Sequence, residues 1–402
     1  MQDTQPPGLE GQQRDGIPGR IALVAGHCAG LMDIVSLPVW VGMVLIGQLG
    51  LQPQLAGALA TLFLAAVVLS SLCFAPRLNR LRRERITPTA YALAGLCFAG
   101  MMFSRDYAAL AGLHAVAGLA VGCGLSMTHG TMGASTNPHR LAAIAFTALA
   151  VLAIAFFGVL PPLVQRLGAN AFFATMAGVM GVAALCTLIA FPAHWKLAPP
   201  SQAGVRLPSQ VWFGMAGVSL MTLNHAMVFG FIERIGGWHG YTAAQIGLVL
   251  VVSGIANLFP SALAGLLDRR WSATAVVCIG PLVQAAAGLL VTQGNSFSMY
   301  VISASLLISV LAFTHIFAFG LLARQDPTGR VVASSPVMIM TGSAGGPLLG
   351  GVLAQHLGYG SLGWAALAIG LLAAVSFRLG ARDKSSATPV HATATTQGRA
   401  HG

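Results

Sequence analysis

Residues 21–46, IALVAGHCAGLMDIVSLPVWVGMVLI, decide the fold. As an α-helix at about 1.5 Å per residue the stretch is roughly 39 Å long, enough to cross a hydrocarbon core of about 30 Å. Its only charged residue is Asp33, which falls near the middle of such a span. A charge at that depth costs at least about 2.5 to 3.5 kcal/mol and marks an ion, proton or substrate pathway by default. The competing reading is a protonated Asp33 that hydrogen-bonds a neighbouring helix and serves packing alone.

The rest of the chain has the same character. Of 402 residues, 56% are hydrophobic and 8% are charged. Soluble domains carry about 25% charged residues, so this chain has too few to dress a water-facing surface, and lipid is its solvent. Cys28, Cys73, Cys97, Cys123, Cys186 and Cys278 contain no Cys-x-x-Cys pair and lie in apolar spans. They read as small buried hydrophobes, without a disulfide framework or thiolate metal site. Residues 1–19 are polar, lack the basic start and short apolar run of a cleavable signal, and read as a disordered cytoplasmic tail.

Apolar windows predict twelve transmembrane helices, at about 20–47, 53–75, 87–103, 107–130, 140–164, 170–192, 211–233, 243–267, 272–293, 298–322, 331–355 and 360–380. Charge tests the count, because cytoplasmic loops collect Lys and Arg. With the N-terminus inside, 18 basic residues fall on the cytoplasmic side, and Arg105, Arg166 and Arg234 fall outside it. One missed or invented helix would destroy that split, so both termini are expected in the cytoplasm. The net charge of +11 is then a topology signal; no basic stripe with interleaved aromatics suggests nucleic acid.

The chain also repeats itself. Gln54 and Gly57 match Gln245 and Gly247; Pro138 and Arg140 match Pro327 and Arg330; Gln165, Leu167 and Gly168 match Gln355, Leu357 and Gly358. The offset is 189 to 191 throughout. The expected organisation is an all-α integral membrane protein of two pseudo-symmetric six-helix bundles, 20–192 and 211–381. A Pro-rich cytoplasmic linker, 193–210, joins them, and a disordered tail, 382–402, follows. Parallel repeats place a site between the halves near the midplane. The offset carries Asp33 to Leu223, beside Asn224 and His225, so each half offers a polar group at similar depth.

At these motifs the whole chain resembles the major facilitator superfamily. Residues 76–85, with Arg77 and Arg80, lie where that family has a basic loop between helices two and three; Gly265, Asp268, Arg269 and Arg270 resemble its second copy. Helix four resembles the family's Arg-x-x-x-Gly pattern, with His114 in the place of Arg and Gly118, Gly122 and Gly124 after it. Helix five lacks the antiporter pattern Gly-Pro-x-x-Gly-Gly; helix eleven carries it as Gly346, Pro347, Gly350 and Gly351.

Small residues predict close packing, or smooth faces on which helices rock. Gly118, Gly122, Ser126 and Gly130 recur every four residues in helix four, as do Gly26 and Gly30 in helix one. Pro347 makes helix eleven the expected place for a bend. Among polar residues, Asp33 and His114 are proton-coupling candidates, and Asp33, Trp40, Asn224 and His225 are substrate-cavity candidates. Trp40 is seven residues beyond Asp33, on nearly the same helical face, where it would stack a ring or cation or serve as core. Asn224 and His225 diverge by about 100° and rarely face one cavity together. His129 and His315 read as packing residues, His27 as too far round the helix to pair with Asp33, and Glu233 with Arg234 as a solvated helix end or a gate.

Enzyme motifs fail on context. Gly358, Gly360 and Gly363 satisfy a dinucleotide fingerprint but open a transmembrane helix with no preceding strand. The eleven histidines form no His-Glu-x-x-His run, and no phosphate loop is present. No cofactor or metal is expected. The expectation is a monomeric, proton-coupled secondary transporter in the bacterial inner membrane. The lack of Lys or Arg deep in a helix favours a neutral, amphipathic or cationic organic substrate, with export ahead. Uptake of a monocarboxylate or aromatic acid, and a membrane sensor or scaffold without turnover, are the alternatives.

Overall fold

A computed structural model describes residues 16–192, 207–267, 270–326, 331 and 335–381. Every regular element among them is helical. The first half contains α1 (Ile17–Leu37), α2 (Pro53–Phe74), α3 (Arg83–Met101), α4 (Tyr107–Met132), α5 (Pro138–Leu167) and α6 (Ala169–Ala190). The second contains α7 (Ser209–Phe229), α8 (Ile232–Trp238), α9 (Ala243–Ala256), α10 (Pro260–Leu267), α11 (Ala273–Gln293), α12 (Phe297–Gln325), α13 (Ser335–Leu357) and α14 (Gly360–Gly380). Eleven stretches are long and apolar enough to cross a membrane. The twelfth crossing is α3, whose apolarity is diluted by Arg83, Glu84 and Arg85 in its first turn and which packs against α4 and α6.

Three predicted spans differ in form. Helix one starts at Ile17 and, past Leu37, continues as a π-helical stretch, Pro38–Gln48. Pro38 has no N–H and its ring crowds the carbonyl four residues back, and a wider turn relieves both. Span seven is broken at Gly230 into α7 and α8, and span eight at residues 257–259, just before Pro260, into α9 and α10. Side-chain caps set several starts: Asp106 accepts from Ala109 N at 2.8 Å, and Thr242 with Gln245 closes a capping box on α9.

The repeat is visible in the backbone. Among the described residues the positive-φ glycines are Gly50 (67°), Gly168 (76°), Gly240 (81°) and Gly358 (78°). They form two pairs 190 residues apart, ending crossings one and seven and crossings five and eleven. The halves meet where α2 packs on α13 and α5 on α9. These are crossings two with eleven and five with eight, so one contact is made twice by pseudo-symmetry.

Glycine allows the close approaches. A Cβ on Gly118 would strike the Phe63 carbonyl and one on Gly122 the Val67 carbonyl, so the helix-four stripe seats α2. Gly26 and Gly30 abut Thr128 and Leu125 of α4. On α13, which runs helical through Pro347, Gly346 and Gly350 abut α7 and its extension, and Gly351 meets the Pro53 carbonyl of α2.

Candidate functional site between the halves

Hydrogen bonds bridge the halves at one end of the bundle and along the α2 and α13 contact. Gln54 N donates to Gln355 Oε1 at 3.1 Å, Gln355 Nε2 to Gln52 Oε1 at 3.1 Å, and Thr61 Oγ1 to the Ala344 carbonyl at 2.6 Å. Arg234 of α8 donates from Nε and Nη2 to the Gly42 carbonyl of the π-helical stretch. Its guanidinium also pairs with Glu233 at 3.0 Å. The pair therefore sits against the other half instead of in free solvent.

The basic loop lies at the opposite end. Arg77 and Arg80 are exposed there, with Arg77 donating to the Cys73 carbonyl, and Arg270 is exposed. Asp268 and Arg269, like most of the linker and both tails, lie outside the described residues.

Asp33 is 0% exposed. Its Oδ1 accepts from Ile34 N at 2.7 Å, and its Oδ2 has no partner among the described residues. Gly26 and Gly30 place α4 along this side of α1, and Tyr91 of α3 comes within electrostatic reach of the carboxyl. The Tyr91 hydroxyl donates to the Gly26 carbonyl at 2.8 Å and lies 3.1 Å from Thr128 Oγ1. Among the described residues no Lys or Arg is paired with Asp33.

Trp40 and His114 come together. Their rings stack at 5.4 Å with a 13° interplanar angle, and Phe63 and Phe172 close over Trp40. The seven-residue spacing from Asp33 crosses Pro38 into a stretch where i→i+5 bonding turns each residue by less than the α-helical 100°. His114 Nδ1 is 2.6 Å from the Leu110 carbonyl, and both rings are fully buried.

In the second half, Asn224 and His225 diverge as their spacing requires. Asn224 Nδ2 donates to the Ala366 carbonyl of α14 at 3.0 Å, which turns its amide toward its own half. His225 stacks on Phe229 at 4.9 Å and lies within electrostatic reach of His315 of α12. Its Nδ1 has no described partner. Asn224 thus ties α7 to α14, while the His225 ring packs on Phe229 of its own helix.

Two arrangements escaped sequence reasoning. His27 Nδ1 and His129 Nε2 are 3.0 Å apart between α1 and α4, with Phe146 edge-on to His27 at 4.7 Å. One of the two nitrogens must carry the proton the other accepts. Gln284, fully buried in α11, donates to the Met221 carbonyl at 3.3 Å. Each was legible as a polar residue inside an apolar span; the partner was not.

Comparisons agree with this architecture. The family model described as Major Facilitator Superfamily matches residues 22–328. The chain is 26% identical over 416 aligned positions to the Transcription regulatory protein OpdE of Pseudomonas aeruginosa, covering 94% of this chain and 97% of that one. In fold it is similar to a bacterial homolog of the human lysosomal transporter Spinster, solved in an inward-facing, unoccupied conformation. That likeness has a TM-score of 0.67 at 14% identity and covers 91% of this chain and 98% of the homolog. A mutant of the nucleoside transporter NupG gives a TM-score of 0.68 at 10% identity, over 91% of this chain and 100% of its own. With twelve crossings in two related halves and a family model spanning most of its length, the chain belongs to the Major Facilitator Superfamily.

Proposed function

We propose that this membrane protein is a proton-coupled secondary transporter of a small neutral, amphipathic or cationic organic molecule, working by alternating access and directed toward export. One observation carries the reading: the carboxyl of Asp33 is fully buried, and its Oδ2 has neither hydrogen-bond donor nor paired cation among the described residues. A buried polar atom left unmatched costs about 1 to 3 kcal/mol, and a charged one more. That oxygen has a vacancy for one proton or one cationic group, which is what a coupling residue must accept and release. The His27 and His129 pair lies six residues nearer the basic-loop end of α1 and supplies a second proton-holding group on that route. Closure at the Arg234 end and exposed basic loops at the other fit a cytoplasm-facing state, with both termini in the cytoplasm and the chain acting as a monomer.

The deciding experiment is flux into proteoliposomes under an imposed pH gradient, against a panel of cations, neutral aromatics and carboxylates. Uphill movement of a cation or neutral compound supports the reading, and movement of carboxylates alone replaces it with acid uptake. A second reading, a membrane-embedded regulator without turnover, rests on the printed name of the Pseudomonas aeruginosa relative, a transcription regulatory protein. Absence of flux for the whole panel, together with altered transcription in a deletion strain, would favour it.

A further inference from the structure

The break before Pro260 has a second consequence, away from the cleft between the halves. Because crossing eight is split into α9 and α10, α10 packs on α12, while α11 packs on α12 and α14. Between these helices lies a cavity of about 690 Å³. Its walls are apolar, formed by Phe259, Leu263, Ile279, Val283, Leu306 and Phe313, and all of its lining comes from the second half. Phe259 is 64% and Ile279 56% exposed, so the cavity opens sideways, toward the bilayer.

Polarity is confined to two places. At the basic-loop end stand Arg270 and Trp271, the indole edge-on to Phe313 at 5.9 Å. Arg270 forms no ion pair with any described residue. Deeper in the groove, Ser309 Oγ and the fully buried Thr314 Oγ1 have no described hydrogen-bond partner. Along α11 the lining runs from Ala275 to Val283, and from the start of α11 to Val283 is about 15 Å, half of a hydrocarbon core of about 30 Å. The groove is therefore one leaflet deep. Its charged end lies at headgroup level, where tryptophan also prefers to sit.

We propose that this groove is a binding site for an anionic phospholipid of the bilayer, one acyl chain lying between α10, α11 and α12 and the phosphate on Arg270. An unpaired guanidinium at the membrane surface selects a net negative headgroup over a zwitterionic one, which brings its own cation.

The test uses the full chain in nanodiscs that contain phosphatidylglycerol or phosphatidylcholine with brominated chains. Quenching of Trp271 is read as the difference between wild type and Trp271→Phe. The expected result is about five-fold more effective quenching by the brominated phosphatidylglycerol, the preference one basic side chain gives near a membrane surface. Arg270→Gln should bring the two lipids level, and Ala275→Phe, which fills the groove below Trp271, should weaken quenching by both. Thermal unfolding establishes that each variant is folded. Inorganic phosphate added to phosphatidylcholine discs should leave the signal unchanged, and an effect of phosphate alone would replace the lipid with a free anion. Equal quenching by the two lipids in wild type, or a preference that survives Arg270→Gln, would overturn the proposal.

Discussion

Arg234 donates from Nε at 2.8 Å and Nη2 at 2.7 Å to the carbonyl oxygen of Gly42, tying the extension of crossing seven to the end of crossing one. The π-helical turn makes the seat. Gly42 and Gly47 are five residues apart, one turn of i→i+5 bonding, so both lie under the ion pair. A Cβ on Gly42 would stand 2.8 Å from Glu233 Oε2, and one on Gly47 would strike Arg234 Nη2. In an α-helix the same two positions would point about 140° apart.

Removing this tie should loosen the closed end. A hydrogen bond to a charged group contributes about 1.5 to 3 kcal/mol, so Arg234→Gln should raise the opening equilibrium by about 10- to 100-fold. Thiol labelling of Thr61→Cys, half-buried in the α2 and α13 contact, would report it as a faster rate. An unchanged rate would mean that the glutamine ladder between Gln52, Gln54 and Gln355 closes this end without Arg234.

The distribution of basic residues predicts the membrane orientation. In a background with all six cysteines replaced, Gly237→Cys and Asn295→Cys should react with an impermeant thiol reagent added outside cells, and Asn79→Cys only after permeabilisation. The reverse pattern would invert the topology.

Glycines that look alike in sequence should differ sharply. At Gly122 an added methyl meets the Val67 carbonyl and comes within 2.9 Å of the Ser70 Cβ, so Gly122→Ala should cost about 1 to 3 kcal/mol by overpacking, and Leu more. Gly178, with nothing within 4 Å, should accept Ala with no loss, or gain up to about 1 kcal/mol of helix propensity. Thermal unfolding in detergent compares the two. Equal behaviour would mean that α2 and α4 are less tightly seated than their contact requires.

Asp33→Asn keeps the shape and can still accept from Ile34 N, but it cannot take up a proton. It should insert and fold normally, lose gradient-driven accumulation, and retain downhill exchange of a neutral substrate. Asp33→Glu should recover part of the coupled rate. Wild-type accumulation by the Asn variant would make Asp33 a packing residue and move the search to the His27 and His129 pair.

That pair has its own signature. His129→Leu leaves His27 Nδ1 buried without its partner and should cost about 1 to 3 kcal/mol of stability, whereas His129→Gln, which can still meet that nitrogen, should cost less. Unfolding midpoints of the two variants separate these outcomes.

Twelve crossings, their positions to within a few residues and the 190-residue repeat were all determined by sequence alone, down to the glycines. Gly168 and Gly358 appear there as a repeated end to crossings five and eleven, and the structure adds the positive φ that no other residue type adopts as readily. Such features are legible because transfer from water to lipid depends on composition within one segment, and turn chemistry on a residue and its neighbours. Rotation and pairing of the helices is a different matter. That Asn224 turns to Ala366, that His27 meets His129, and that Trp40 stacks on His114 were decided only by tertiary structure. Lipid is as apolar as the helix surfaces it touches, so hydrophobicity does not choose the partner face; close packing of small residues and interhelical hydrogen bonds between distant positions do.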